Sequence, residues 1–210
     1  MGAVITGLCL YVQYQTGPWT LLLGGIGLFS GFFYSGRPIQ WAYRGLGEIL
    51  IGFCYSWLPI ATGFYLFSGF FHREIFFLSI PVGLSIFNVI LINEFPDEEA
   101  DRKIGKKNLV VRFGKERMAD LYLGISILVG LSLIKVILIF GRTPIWFLIL
   151  SVLPLLLLLR SIVEVWRRGY QENRRLESLC RNTLLVNLSI TMLLTIQQTI
   201  IVSPHPFLLK

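Results

Sequence analysis

Asn93, Asp97 and Asp101 stand four residues apart in "NEFPDEEADRKIGKKNLVVRFG", which runs from Asn93 to Gly114, and Lys106 and Lys107 follow Gly105. On an α-helix each four-residue step turns about 400°, so the three side chains drift only about 40° per step and share one face. Two carboxylates and an amide oxygen are hard donors. They suit Mg2+, which takes oxygen ligands and leaves several positions to water or phosphate oxygens. The lysines add positive charge for a polyanion. The pattern reads as a metal-bridged diphosphate site; the plain alternative is a solvated helix end whose acids and bases pair locally. Pro96 lies inside the stretch, lacks an N–H and predicts a break or kink nearby.

The elements that must position these residues are apolar. The stretch follows directly on "FFLSIPVGLSIFNVILI", in a chain of 210 residues that is 54% hydrophobic and only 15% charged, with a mean hydropathy of +0.69. A soluble domain could not hide that much apolar surface, so residues 1–210 read as one polytopic membrane domain. Runs of about 20 residues are needed to cross the hydrocarbon. Six full spans are expected near 18–35, 47–70, 75–94, 118–140, 144–163 and 182–202, with a short partial one at 2–15. Turn chemistry separates them at Gly17-Pro18, Gly36 to Pro38, His72-Arg73 and Gly141 to Pro144. The net charge of +7 comes from arginines and lysines in short loops, so topology and lipid headgroups account for it and nucleic acid is not an expected partner. Arg37 and Arg44 share one loop. Lys106, Lys107 and their neighbours fill a second, and the arginines from Arg160 to Arg181 a third, whereas the intervening turns carry little. By the positive-inside rule the three rich loops and the N-terminus are cytoplasmic and the C-terminus is outside. The three cysteines have no metal-binding or disulfide-framework spacing, and two histidines make a histidine-rich metal site improbable on composition. Gly2 and Thr6 fit a myristoylation pattern, but an apolar helix starting there is the simpler explanation.

The run N-x-x-x-D-x-x-x-D-x-x-x-G-K, ending in "NLVVRFG", resembles the second aspartate-rich motif of the UbiA superfamily of intramembrane prenyltransferases. Upstream, "FFYSGRPIQWAYRGLGEILIGF" resembles the branch that prenylates 1,4-dihydroxy-2-naphthoate in menaquinone synthesis, where a Y-R-G-L-G-E segment opens a transmembrane helix. The resemblance implies an all-α transmembrane bundle in the cell's inner (plasma) membrane, with its active face cytoplasmic. It also implies Mg2+-dependent transfer of a polyprenyl group from polyprenyl diphosphate to an aromatic acceptor, expected to be the naphthoate. Position by position, it makes Asp97 and Asp101 metal ligands, with Asn93 ligating or supporting them. Lys106 and Lys107 become diphosphate contacts. Arg44 would meet phosphate, and Glu48 would act in catalysis by orienting the acceptor or a lysine. An acid in the first turn of a helix also has an ordinary reading, as compensation for the dipole. Tyr34, with Tyr43 and Arg37, is a weaker substrate-binding candidate. Asn88, inside a span, reads either as glue between helices or as a lining of the prenyl pocket.

One departure from the family matters. No N-x-x-x-D occurs before Asn93, so the first aspartate-rich motif is not in this sequence. The expectation is a chain without the family's N-terminal helices, which would need that segment supplied in trans and would by itself transfer little prenyl group. Two other classes compete: a secondary transporter and a non-catalytic membrane partner. Transporters show internal repeats and midplane binding residues, whereas here no repeat is found and the charges gather at a span's end. The loop charges make a direct prediction. On a background without native cysteines, a cysteine placed at Glu99 or Asn173 stays unlabelled by an impermeant thiol reagent in intact cells, and one placed at Arg142 reacts. Labelling at Glu99 from outside would reverse the orientation.

Overall fold

The computed structural model describes residues 2–139 and 145–202, with side chains over 10–139 and 145–198. The described residues form helices α1 (Gly2–Thr16), α2 (Thr20–Ser35), α3 (Gly47–Tyr55), α4 (Trp57–Ser68), α5 (Glu74–Lys103), the short α6 (Leu109–Phe113), α7 (Lys115–Ile139), α8 (Ile145–Trp166) and α9 (Asn173–Val202). The turn expected at Gly141 to Pro144 and the side chain of Cys9 lie outside the described residues.

Among the described residues, five segments are long and apolar enough to cross a membrane: Gly47–Ser68, Glu74–Lys103, Lys115–Ile139, Ile145–Trp166 and Asn173–Gln198. This corrects the expected count of six full spans. α2 has only 16 residues, or roughly 24 Å at 1.5 Å each, short of the about 30 Å hydrocarbon. The span expected over 47–70 is two helices, α3 and α4, divided at Ser56 with φ −110° and ψ −76°. The Ser56 hydroxyl turns back to donate to Gly52 O at 2.6 Å.

α5 is the central element and packs against α3, α4, α7 and α9. It overruns the expected 75–94 by nine residues, six of them charged, and passes Pro96 without interruption. Pro96 has no N–H for the carbonyl of Ile92, four residues back. The Cys180 thiol of α9 donates to that carbonyl at 3.6 Å, supplying a partner from outside the helix. Asparagines join the remaining helices. Asn88 Nδ2 of α5 donates to Tyr122 O at 3.2 Å and Ser126 Oγ at 2.9 Å on α7. Asn187 of α9 donates to Ser85 Oγ of α5 at 2.8 Å, and Tyr122 OH bonds Thr183 Oγ1 at 2.7 Å. In hydrocarbon a polar side chain has no water to turn to, so such pairs hold helices in one register.

Two glycines set the depth at which α3 meets α5. A Cβ on Gly83 would stand 2.6 Å from Ser56 Oγ and 3.2 Å from Gly52 O, and a Cβ on Gly52 would stand 3.4 Å from Gly83 O. Only backbone fits between the helices there. That close approach places Glu48, one turn before Gly52, against the polar end of α5.

Candidate active site at the charged end of the bundle

The ends of α5 and α8 and the starts of α7 and α9 lie together. Lys115 of α7 meets Glu98 of α5 at 3.4 Å, and the rings of Phe95 and Tyr170 are 5.6 Å apart. At this end the two segments singled out in the sequence touch. Lys107 N donates to Tyr43 O at 3.2 Å, Leu109 N donates to Glu48 Oε1 at 3.0 Å, and Arg112 Nε donates to Lys107 O at 2.8 Å. Gly45 sits beside them with φ +67°, a left-handed conformation that glycine adopts without strain, and a Cβ there would stand 3.2 Å from Lys107 O.

Asp101 organises the return of the chain after α5. Its Oδ2 accepts from Lys106 Nζ at 2.7 Å and from Asn108 Nδ2 at 2.8 Å. Asn108 is fully buried and caps α6, its Oδ1 accepting from Val111 N at 2.8 Å. The Lys106 ammonium is partly buried, which alone would lower its pKa. The hydrogen bond and charge of Asp101 outweigh this, with help from Glu94, and hold the pKa above the ordinary lysine value. A raised lysine pKa means that the pair's contribution to stability is complete below the ordinary value and fades only as pH rises through the raised one. Lys106 is therefore a fixed cation at neutral pH.

Asn93 and Asp97 share the face of α5 with Asp101, but their surroundings differ. Asp101 is 8% exposed, whereas Asn93 and Asp97 are exposed. Neither makes a hydrogen bond or ion pair. Lys107 is exposed. Arg44 is exposed too, its Nη2 donating to Pro38 O at 3.2 Å. Tyr34 lies within electrostatic reach of Lys106, Glu94, Glu48 and Asp101, and a Cβ on Gly47 would come within 3.1 Å of its ring. Asn88 stands apart, buried in the bundle and engaged with α7.

Sequence reasoning missed Glu94. It is 9% exposed and close to the carboxyl of Glu48, itself 1% exposed, and each of the two keeps a buried carboxyl oxygen without a hydrogen-bond partner. Glu94 precedes Asp101 by seven residues, nearly two turns, so its place on the Asp101 side was open to the same helical arithmetic.

The uncommitted oxygens of Asn93 and Asp97 and the second carboxylate oxygen of Asp101 fit a hard divalent cation in kind. In number they supply part of a shell. Among the described residues no group of three or more His, Cys, Asp or Glu is gathered closely enough to hold a metal. Mg2+ commonly takes only one or two carboxylates, with water and phosphate oxygens completing its octahedron.

An all-helical membrane bundle with carboxylates, an amide and a fixed lysine at one mouth defines the class. The UbiA prenyltransferase family model matches residues 1–186, and the chain belongs to that family; it is an integral membrane protein. The chain is 28% identical over 112 residues to "1,4-dihydroxy-2-naphthoate octaprenyltransferase" of Bacillus subtilis (strain 168), covering 53% of this chain and 35% of that protein. It is 33% identical over 104 residues to "2-carboxy-1,4-naphthoquinone phytyltransferase" of Synechocystis sp., covering 49% and 34%. It is 28% identical over 163 residues to "UbiA prenyltransferase domain-containing protein 1" of Dictyostelium discoideum, covering 78% and 47%. The chain thus spans between a third and a half of the length of these relatives. No solved structure matches it.

The Asp101–Asn108 bond yields a prediction. Asn108→Ala removes the cap of α6 and one of the two donors to Asp101, at a cost of about 1–2 kcal/mol. The Lys106-Lys107 loop then opens, and limited trypsin digestion of the purified protein should cut there at least several times faster than in the parent. Unchanged cleavage would show that the loop is held by other contacts.

Proposed function

We propose that the charged end of this bundle binds the diphosphate of a polyprenyl diphosphate and transfers the prenyl group to an aromatic acceptor. The observation that carries this reading is Lys106, a cation fixed by Asp101 where the two motif segments meet, at the end of the helix face that also carries the exposed, uncommitted Asn93 and Asp97. The names of two relatives favour a naphthalene acceptor, 1,4-dihydroxy-2-naphthoate, and hence a step in menaquinone synthesis.

Asp97 would hold a Mg2+ ion, with Asn93 in support and Asp101 contributing the oxygen that Lys106 and Asn108 leave free. When bound, that ion neutralises charge on the leaving diphosphate. Lys106 offers its ammonium to the same phosphate oxygens, and Lys107 and Arg44 are exposed on the same rim. In the reaction the allylic C–O bond breaks and diphosphate leaves with the electron pair. An acceptor ring carbon forms the new C–C bond and releases the group it carried, a proton or, from a carboxylated carbon, carbon dioxide. Stabilising the leaving charge in a preorganised site is commonly the largest catalytic contribution. Glu48, which accepts from the Leu109 amide, and Tyr43 O, which accepts from Lys107 N, fix the distance between the acceptor-side segment 34–48 and the phosphate-side segment 93–107, with Glu94 buried beside Glu48. Tyr34, at the start of the acceptor-side segment and within electrostatic reach of Lys106 and Glu94, is placed to line the acceptor side. The loop charges support a cytoplasmic active face on the plasma membrane. An N-terminal segment carrying a second aspartate motif, fused or supplied in trans, would complete the metal shell.

In an active assembly, assayed with radiolabelled polyprenyl diphosphate, dihydroxynaphthoate and Mg2+, Asp97→Asn should lower turnover by about 10² or more, as losing one preorganised electrostatic contact does. Asp101→Asn should lower it comparably and also loosen the Lys106 loop. Near-normal prenyl transfer by Asp97→Asn would remove the metal role assigned to it.

A further inference from the structure

Arg160 of α8 and Arg174 and Arg175 of α9 line one cavity of ≈ 230 Å³ at the charged end of the bundle, and no residue of the candidate active site takes part in it. Its deep side is polar and rigid. Asn182, 6% exposed, donates to Ser161 Oγ at 2.5 Å and to Leu157 O at 2.9 Å, which fixes α9 against α8 there. The hydroxyl of Ser178, half-buried on the wall, makes no hydrogen bond.

The charges do not balance. Arg175 Nε is matched by Glu164 at 3.6 Å and Glu172 at 3.2 Å. Arg160 and Arg174 make no ion pair and no hydrogen bond. A positive-inside bias explains why arginines occur at this end. It does not explain why two exposed arginines without ion-pair partners, from different helices, line one concave site, where like charges repel unless an anion lies between them. At about 30 Å³ per water, the cavity has room for a phosphate group with part of its hydration. The guanidinium fork matches phosphate oxygens bidentately. Trp166, 75% exposed at the end of α8, is the kind of residue that sits at headgroup level.

We propose that this cavity is a binding site for a phosphate group, carried by an anionic lipid headgroup or free in solution. Arg160 and Arg174 clamp the phosphate, Ser178 donates to it, and Glu164 limits the affinity by neutralising Arg175. The proposal is independent of the prenyl-transfer reading, since the two sites share no residue.

The test is native mass spectrometry of the purified 210-residue protein titrated with phosphatidylglycerol or phosphatidylcholine, with and without inorganic phosphate as competitor. Phosphatidylglycerol should bind in preference to phosphatidylcholine. The double variant Arg160→Gln/Arg174→Gln should weaken binding by about ten-fold or more, and Arg117→Gln, an exposed cation outside the cavity, should not. Glu164→Gln should tighten binding, a gain that misfolding cannot imitate. Displacement by inorganic phosphate identifies the free ion as a sufficient ligand, and failure to displace identifies the lipid; either outcome retains the site. Equal retention of the two lipids, wild-type binding by the double arginine variant, or weakened binding by Glu164→Gln would overturn it.

Discussion

The two hydrogen bonds accepted by Asp101 Oδ2, from Lys106 Nζ and Asn108 Nδ2, set the shape of the polar mouth. They turn the chain back on itself as it leaves α5, and they fix Lys106 as a cation against a carboxylate. They also hold Asn108 where it caps α6, which in turn presents Leu109 N to Glu48. That return adds a second link, at the mouth itself, between the segment around Glu48 and α5, beside the close packing of α3 on α5. Because the carboxylate is nearly buried, its two donors cannot be replaced cheaply by water.

The bundle beneath is arranged to deliver this mouth in one register. Glycines at 52 and 83 let α3 approach α5 at backbone distance, which fixes the depth of Glu48. Asparagines 88 and 187 each donate to a neighbouring helix, where no solvent would take their place, and Asn182 does the same between α9 and α8 at the wall of the arginine-lined cavity. Cys180 supplies the donor that Pro96 withholds from Ile92, so α5 can run from hydrocarbon into the charged end as one rod. That continuity carries Asn93, Asp97 and Asp101 along one line, as their spacing requires.

The spans were legible because about 20 apolar residues in a row have few other uses, and the motif residues were legible because hard donors at four-residue steps have a chemical meaning. The break at Ser56 was overlooked although Pro59 marks it: that proline has no N–H for the carbonyl of Tyr55, four residues back, and sits in the first turn of α4, where the N–H is not needed. The length of α5 was underestimated because Pro96 argues for a stop, and its remedy comes from Cys180, 84 residues later. Periodicity could put Asn93, Asp97 and Asp101 on one face. It could not say that the returning loop would cover Asp101 alone and leave the other two exposed. Glu94 escaped because its partner, Glu48, is brought to it only by tertiary packing.

The central claim is that Asp97 and its neighbours bind a prenyl diphosphate through a divalent cation. Equilibrium binding of a non-hydrolysable prenyl thiodiphosphate to the purified chain, measured with Mg2+ and with a chelator, tests it most directly. The account predicts binding that requires Mg2+ and is lost in Asp97→Asn while the variant's melting temperature is retained. Binding that survives both the chelator and the substitution would contradict it.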